Sequence, residues 1–173
     1  ADRSLSYAPM CCPSVDILRA VMGDALGQVE WVPHEPKQLA LRMMQGKIDS
    51  ALLPEPLVTV LLRKVDGLRV VGHVEDEYAR INQGRARMPI AGIAAHADFI
   101  RENPREMARL TAGIVAAAAR LAATPQTAAQ VLPAEFSEFV SREDIEASLS
   151  RDVILAVEAT EAREEILYYL RIV

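Results

Sequence analysis

The apolar positions of this chain change their spacing partway along. Through residues 1–74, short apolar runs alternate with stretches in which apolar side chains recur at intervals of three and four. The first spacing suits a strand covered on both faces, the second a helix that buries one stripe. Strands are therefore expected at 5–9, 29–32, 48–53 and 68–74, with helices between them. Pro13-Ser14 opens a helix that carries Val15, Leu18, Val21, Met22 and Leu26 on one face and stops at Gly27. Residues 36–45 form a second, with Leu39, Ala40, Met43 and Met44 inward and Gly46 as its C-terminal cap. Pro56 stands where a first helical turn tolerates proline, so 57–64 is a third.

A polar interval, 75–87, follows, and an apolar run at 88–95 predicts one more strand. Beyond it the spacing is helical. His96 is placed to start a turn at 97–100. Asn103-Pro104-Arg105-Glu106 has the form of a capping box opening a helix with Met107, Leu110, Ile114, Ala117 and Leu121 inward. Thr124-Pro125 caps another that ends near Pro133, Ser141-Arg142-Glu143-Asp144 opens a third, and 157–172 forms a fourth. The fold class is α/β: residues 1–74 form a lobe with a mostly parallel sheet, 75–87 a polar crossover, and 88–173 a crossover strand and helical remainder.

Composition narrows the function. Hydrophobic residues make up 51% and charged residues 25% of 173, which suits a globular protein with a real core. The net charge of −5 and the lack of a Lys/Arg block argue against nucleic acid or an anionic membrane as partner. No apolar run approaches the roughly 20 residues that span a bilayer. No signal-peptide pattern is present, although Ala1-Asp2 is the kind of start a trimmed export product has. The two cysteines, Cys11 and Cys12, are adjacent, a spacing that rarely closes a disulfide.

The candidate chemistry lies at the carboxyl ends of the expected strands, where open parallel sheets bind ligands. Pro54-Glu55-Pro56 leaves one such end along a path stiffened by two prolines. It sets Glu55 beside a helix N-terminus, either as a cap or as a group presented to a cleft. Asp49, just after the Gly46 stop, reads as structural. The loop Met10-Cys11-Cys12-Pro13-Ser14 follows the first strand, and Ser14 reads as the N-cap of the helix it opens. Trp31 reads as core with the option of stacking on a ligand, as does Tyr7, and Arg85 and Arg87 read as a solvated edge.

The segments 39–64 (LALRMMQGKIDSALLPEPLVTVLLRK), 88–132 (MPIAGIAAHADFIRENPREMARLTAGIVAAAARLAATPQTAAQVL) and 159–170 (ATEAREEILYYL) carry a resemblance. In this order they resemble the periplasmic substrate-binding proteins of the nitrate/sulfonate/taurine ABC transporters, the NMT1/THI5-like group. The resemblance covers most of the chain and implies a type II periplasmic-binding-protein lobe. It implies non-covalent capture of an anionic or heteroaromatic small molecule for an ABC permease, outside the cytoplasm, soluble or lipid-anchored, with no cofactor and no metal. The ligand contacts it implies are Met10, Cys11, Cys12, Ser14, Pro54 and Glu55. Members of the group close two lobes on the ligand, and the matched segments leave out most of the first, so the sequence is expected to be truncated relative to them. Where the group has a Gly/Ser-rich loop, this chain has Met10, Cys11 and Cys12, so a bulkier, sulfur-lined ligand surface is expected.

Other readings stand beside this one. Enzymes of thiamine-pyrimidine synthesis resemble the same group, and a cysteine or His34 would then do chemistry. Ligand-sensing domains of regulators share the architecture. Cys11-Cys12-Pro13-Ser14 has the look of a redox loop, but without a resolving cysteine. Met10, Cys11, Cys12, His34 and His73 offer soft-metal donors. No acid/base pair or catalytic triad is assembled by the sequence itself.

Overall fold

The computed structural model describes residues 4–9, 13–84, 87–131, 140–152 and 154–173. These form two units, one of Ala1–Met88 with Tyr168–Val173 and one of Pro89–Leu167.

The first unit is built on strands β1 (Ser4–Tyr7), β2 (Glu30–Pro33) and β3 (Ala51–Leu52), all parallel, in the order β2-β1-β3. Ser4 pairs with Glu30 and Tyr7 with Pro33, while Ser6 pairs with Ala51 on the other side. Helix α1 (Pro13–Met22) leads from β1 to β2, and α2 (Pro36–Met44) leads from β2 back past β1 to β3. The two crossovers run in opposite directions across the sheet. Right-handed crossovers then put α1 and α2 on opposite faces. The side chains agree: the Arg19 guanidinium of α1 lies 5.4 Å from the centre of the Trp31 ring, marking the α1 face. Tyr7 meets Trp31 edge-on at 6.2 Å on that same face. Helix α3 (Leu57–Lys64) packs against α2, and α4 (Val74–Ile81) packs against α1. The core includes Ala8 just after β1, Val15 and Ile17 from α1, Leu39, Ala40 and Met43 from α2, Leu57, Val60 and Leu61 from α3, and Tyr78 from α4.

Local signals explain the helix ends. Gly46 takes φ +67°, and the Lys47 N–H reaches the Arg42 carbonyl at 2.9 Å while Gly46 N–H reaches that of Met43 at 2.9 Å. This is a Schellman cap, and only glycine enters it without a Cβ penalty. Helix α1 ends earlier than expected. A 3₁₀ turn at Gly23–Leu26 follows Met22, with Gly23 at φ +49°. Ile17 is core and Met22 is exposed, the reverse of what the single stripe expected of these two positions, and α1 packs against α4. The polar interval carries α4, whose Tyr78 is fully buried against Tyr168 and Tyr169. The Tyr168 hydroxyl donates to the Ile81 carbonyl at 2.8 Å, tying residues 168–173 to this unit.

Two expected strands are absent from the sheet. Residues 68–73 and 87–96 lie outside helix and strand and join no ladder among the described residues, and Val71, Ile90 and Ile93 are 90%, 64% and 72% exposed. β-branched residues favour extended backbone but cannot supply a neighbour to pair with. β3, only two residues long, offers almost no edge for another strand. Gly72, Pro89 and Gly92 further weaken both runs.

The second unit contains helices α5 (Ala97–Glu102), α6 (Pro104–Ala123), α7 (Ala128–Val131) and α8 (Arg142–Arg151), with a 3₁₀ turn at Pro125–Thr127. His96 caps α5, its Nδ1 accepting from the Asp98 N–H at 3.3 Å. The Ser141 box at α8 is complete, with the Asp144 N–H on the Ser141 hydroxyl at 3.1 Å and the Ser141 N–H on the Asp144 carboxylate at 3.1 Å. The Asn103 box is not made. Asn103 also ends α5, and its amide donates to the Phe99 carbonyl at 3.1 Å instead of capping α6. Along α6 the covered positions are Met107, Thr111, Ile114, Ala117, Ala118 and Leu121, so the expected inner stripe holds except at Leu110, which is exposed while the neighbouring Thr111 is covered. The end of the next helix, expected near Pro133, lies outside the described residues. Helix α9 (Arg163–Ile172) starts six residues after the expected 157, because the chain first turns through Glu158, whose carbonyl accepts from Glu161 and Ala162.

Candidate functional site

All three strands of the first unit point the same way, so their carboxyl ends share one edge. The ladder runs slightly past the strands there: Ala8 N–H reaches the Leu52 carbonyl at 3.2 Å, and His34 N–H reaches that of Tyr7 at 2.9 Å. Beyond this point the chain leaves β1 toward the α1 face and leaves β3 toward the α2 and α3 face. Where neighbouring parallel strands send their following helices to opposite faces, the connecting loops part and leave a crevice. The loops flanking that point are those after Ala8 and after Leu52.

Both loops carry candidate residues. Ser14 is the second residue of α1 and half-buried, one step inside the helix rather than at its N-cap. Met10, Cys11 and Cys12 lie outside the described residues. Pro54 is exposed, and Glu55 is half-buried. Ser14 and Glu55 thus stand at the N-termini of α1 and α3, at the same edge of the sheet and on its two sides. The Ala8–Pro9 and Glu55–Pro56 peptide bonds are cis.

The first turn of α3 closes on its own chain. Leu57 N–H donates to the Pro54 carbonyl at 3.1 Å, and Thr59 N–H donates to the Glu55 carboxylate at 3.0 Å. A carboxylate here satisfies a backbone donor that the helix leaves unpaired and opposes the positive end of the dipole. Glu55 is therefore a capping residue of α3, and its negative charge sits beyond the carboxyl end of β3. The Thr59 hydroxyl is buried with no hydrogen-bond partner among the described residues.

A polar pair that the sequence did not announce lies on the same edge. His34 Nε2 is 3.2 Å from the hydroxyl of the buried Ser6. The register explains it: Ser6 pairs with Val32, so the side chain two residues on falls on the same face, one step toward the strand end. A histidine directly after a strand and a serine inside a neighbouring one were the available signals, and only the pairing register joins them.

This pair has the spacing of a nucleophile and its base. Two features separate it from such a dyad. Ser6 is buried within a strand, and among the described residues no carboxylate holds the other ring nitrogen. His73 is exposed, preceding α4, and no group of three or more His, Cys, Asp or Glu side chains that could hold a metal exists among the described residues. Trp31 and Tyr7 hold each other and Arg19 on the α1 face of the sheet. Arg87 is exposed, and Arg85 lies outside the described residues. No helix among the described residues is long and apolar enough to cross a membrane.

Comparison with known proteins gave no match to a family model, to a curated protein or to a solved structure.

Proposed function

We propose that this chain is the solute-binding component of an ABC importer and that its first unit corresponds to one lobe of a type II periplasmic-binding-protein fold. One observation carries the reading. The parallel order β2-β1-β3, with α3 packed on α2 and α1 reached by a crossover in the opposite direction, is the arrangement in which open parallel sheets bind ligands between the loops after neighbouring strands, here those after β1 and β3. The loop at 10–14 and the Pro54-Glu55-Pro56 corner then form one wall of a ligand site, with Met10, Cys11, Cys12, Ser14, Pro54 and Glu55 as contacts. Capture is non-covalent, of an anionic or heteroaromatic small molecule, outside the cytoplasm. Closure against a second lobe presents the ligand to a permease.

The test is a thermal-shift screen of the chain against sulfonates, nitrate, bicarbonate, pyrimidines and aromatic acids. A ligand at 100 times its dissociation constant stabilises the folded state by about 2.7 kcal/mol, a shift of several degrees. Stabilisation by one class, lost in a Ser14→Ala/Pro54→Ala double variant that still folds, is the expected result. Unchanged melting with every class overturns the proposal.

A further inference from the structure

We draw no further inference here: the strongest candidate, the apolar surface run at 89–95 in which Ile90 and Ile93 stand exposed, carries nothing because nothing in the structure shows what covers it.

Discussion

The Glu55 carboxylate accepts a hydrogen bond from the Thr59 backbone N–H at 3.0 Å, four residues further along the chain. It completes the first turn of α3 from outside the helix. Removing it in Glu55→Ala leaves a part-buried donor unpaired, and the expected cost is about 1 kcal/mol. Glu55→Gln keeps an acceptor and loses only the charge, so its cost is expected at about 0.3–1 kcal/mol. Urea unfolding of both variants measures the difference. Equal stability of Glu55→Ala and the parent chain would remove Glu55 from the capping role. Ligand affinity changed in Glu55→Gln, with stability nearly kept, would show a second role at the crevice.

Ser6 and His34 invite a double-mutant cycle. His34→Ala strands the buried Ser6 hydroxyl, at an expected cost of about 1–3 kcal/mol. Ser6→Ala removes the partner from a ring that keeps some access to solvent, so a smaller loss is expected. The double variant should be more stable than the sum of the two losses implies, with a coupling of about 0.5–1.5 kcal/mol. Strict additivity in denaturant unfolding would mean that the 3.2 Å contact contributes nothing.

The sequence showed these elements unevenly, and the physical reason is range. Gly46 was legible as a cap because its left-handed backbone is a local requirement that the residue type itself meets. Residues 57–64 were legible because Pro56 and the apolar spacing act within two turns. The runs at 68–74 and 88–95 were misread because extended propensity is local whereas a ladder needs a distant neighbour. Ile17 and Leu110 exchanged roles with expected partners because tertiary packing, not periodicity, chooses how far a buried stripe spreads. At the site, Glu55 was visible from its prolines and the following helix. The Ser6–His34 pair was hidden, since it exists only once β1 and β2 are set in register.

The tyrosine cluster of the first unit makes a graded series. Tyr78 is fully buried in α4, and Tyr168 and Tyr169 approach its ring at 6.3 Å each. Tyr78→Ala removes a large buried ring, and a loss of about 3–5 kcal/mol is expected by analogy with other aromatic truncations. Tyr168→Phe keeps the ring and deletes only the hydroxyl that donates to Ile81, for about 0.5–1.5 kcal/mol. Because residues 168–173 belong to the same unit as α4, both losses should appear in one unfolding transition. A Tyr168→Phe variant as unstable as Tyr78→Ala would contradict this ordering.

Two caps of the second unit look alike in sequence and differ in the structure. Ser141 and Asp144 bond reciprocally through backbone and side chain, with Asp144 buried. Asn103 sends its amide to the helix behind it and leaves α6 uncapped by its side chain. Ser141→Ala is therefore expected to cost about 0.5–2 kcal/mol, as a lost N-cap does. Asn103→Ala deletes an exposed side-chain bond to the Phe99 carbonyl, and a loss below about 0.5 kcal/mol is expected, the range of ordinary surface changes. Hydrogen exchange supplies the local readout. Amides in the first turn of α8 should lose protection in Ser141→Ala, while those in the first turn of α6 should hardly respond to Asn103→Ala. If the two responses were reversed, Asn103 would be the working cap, and the two-helix junction at Asn103 would have to be redrawn.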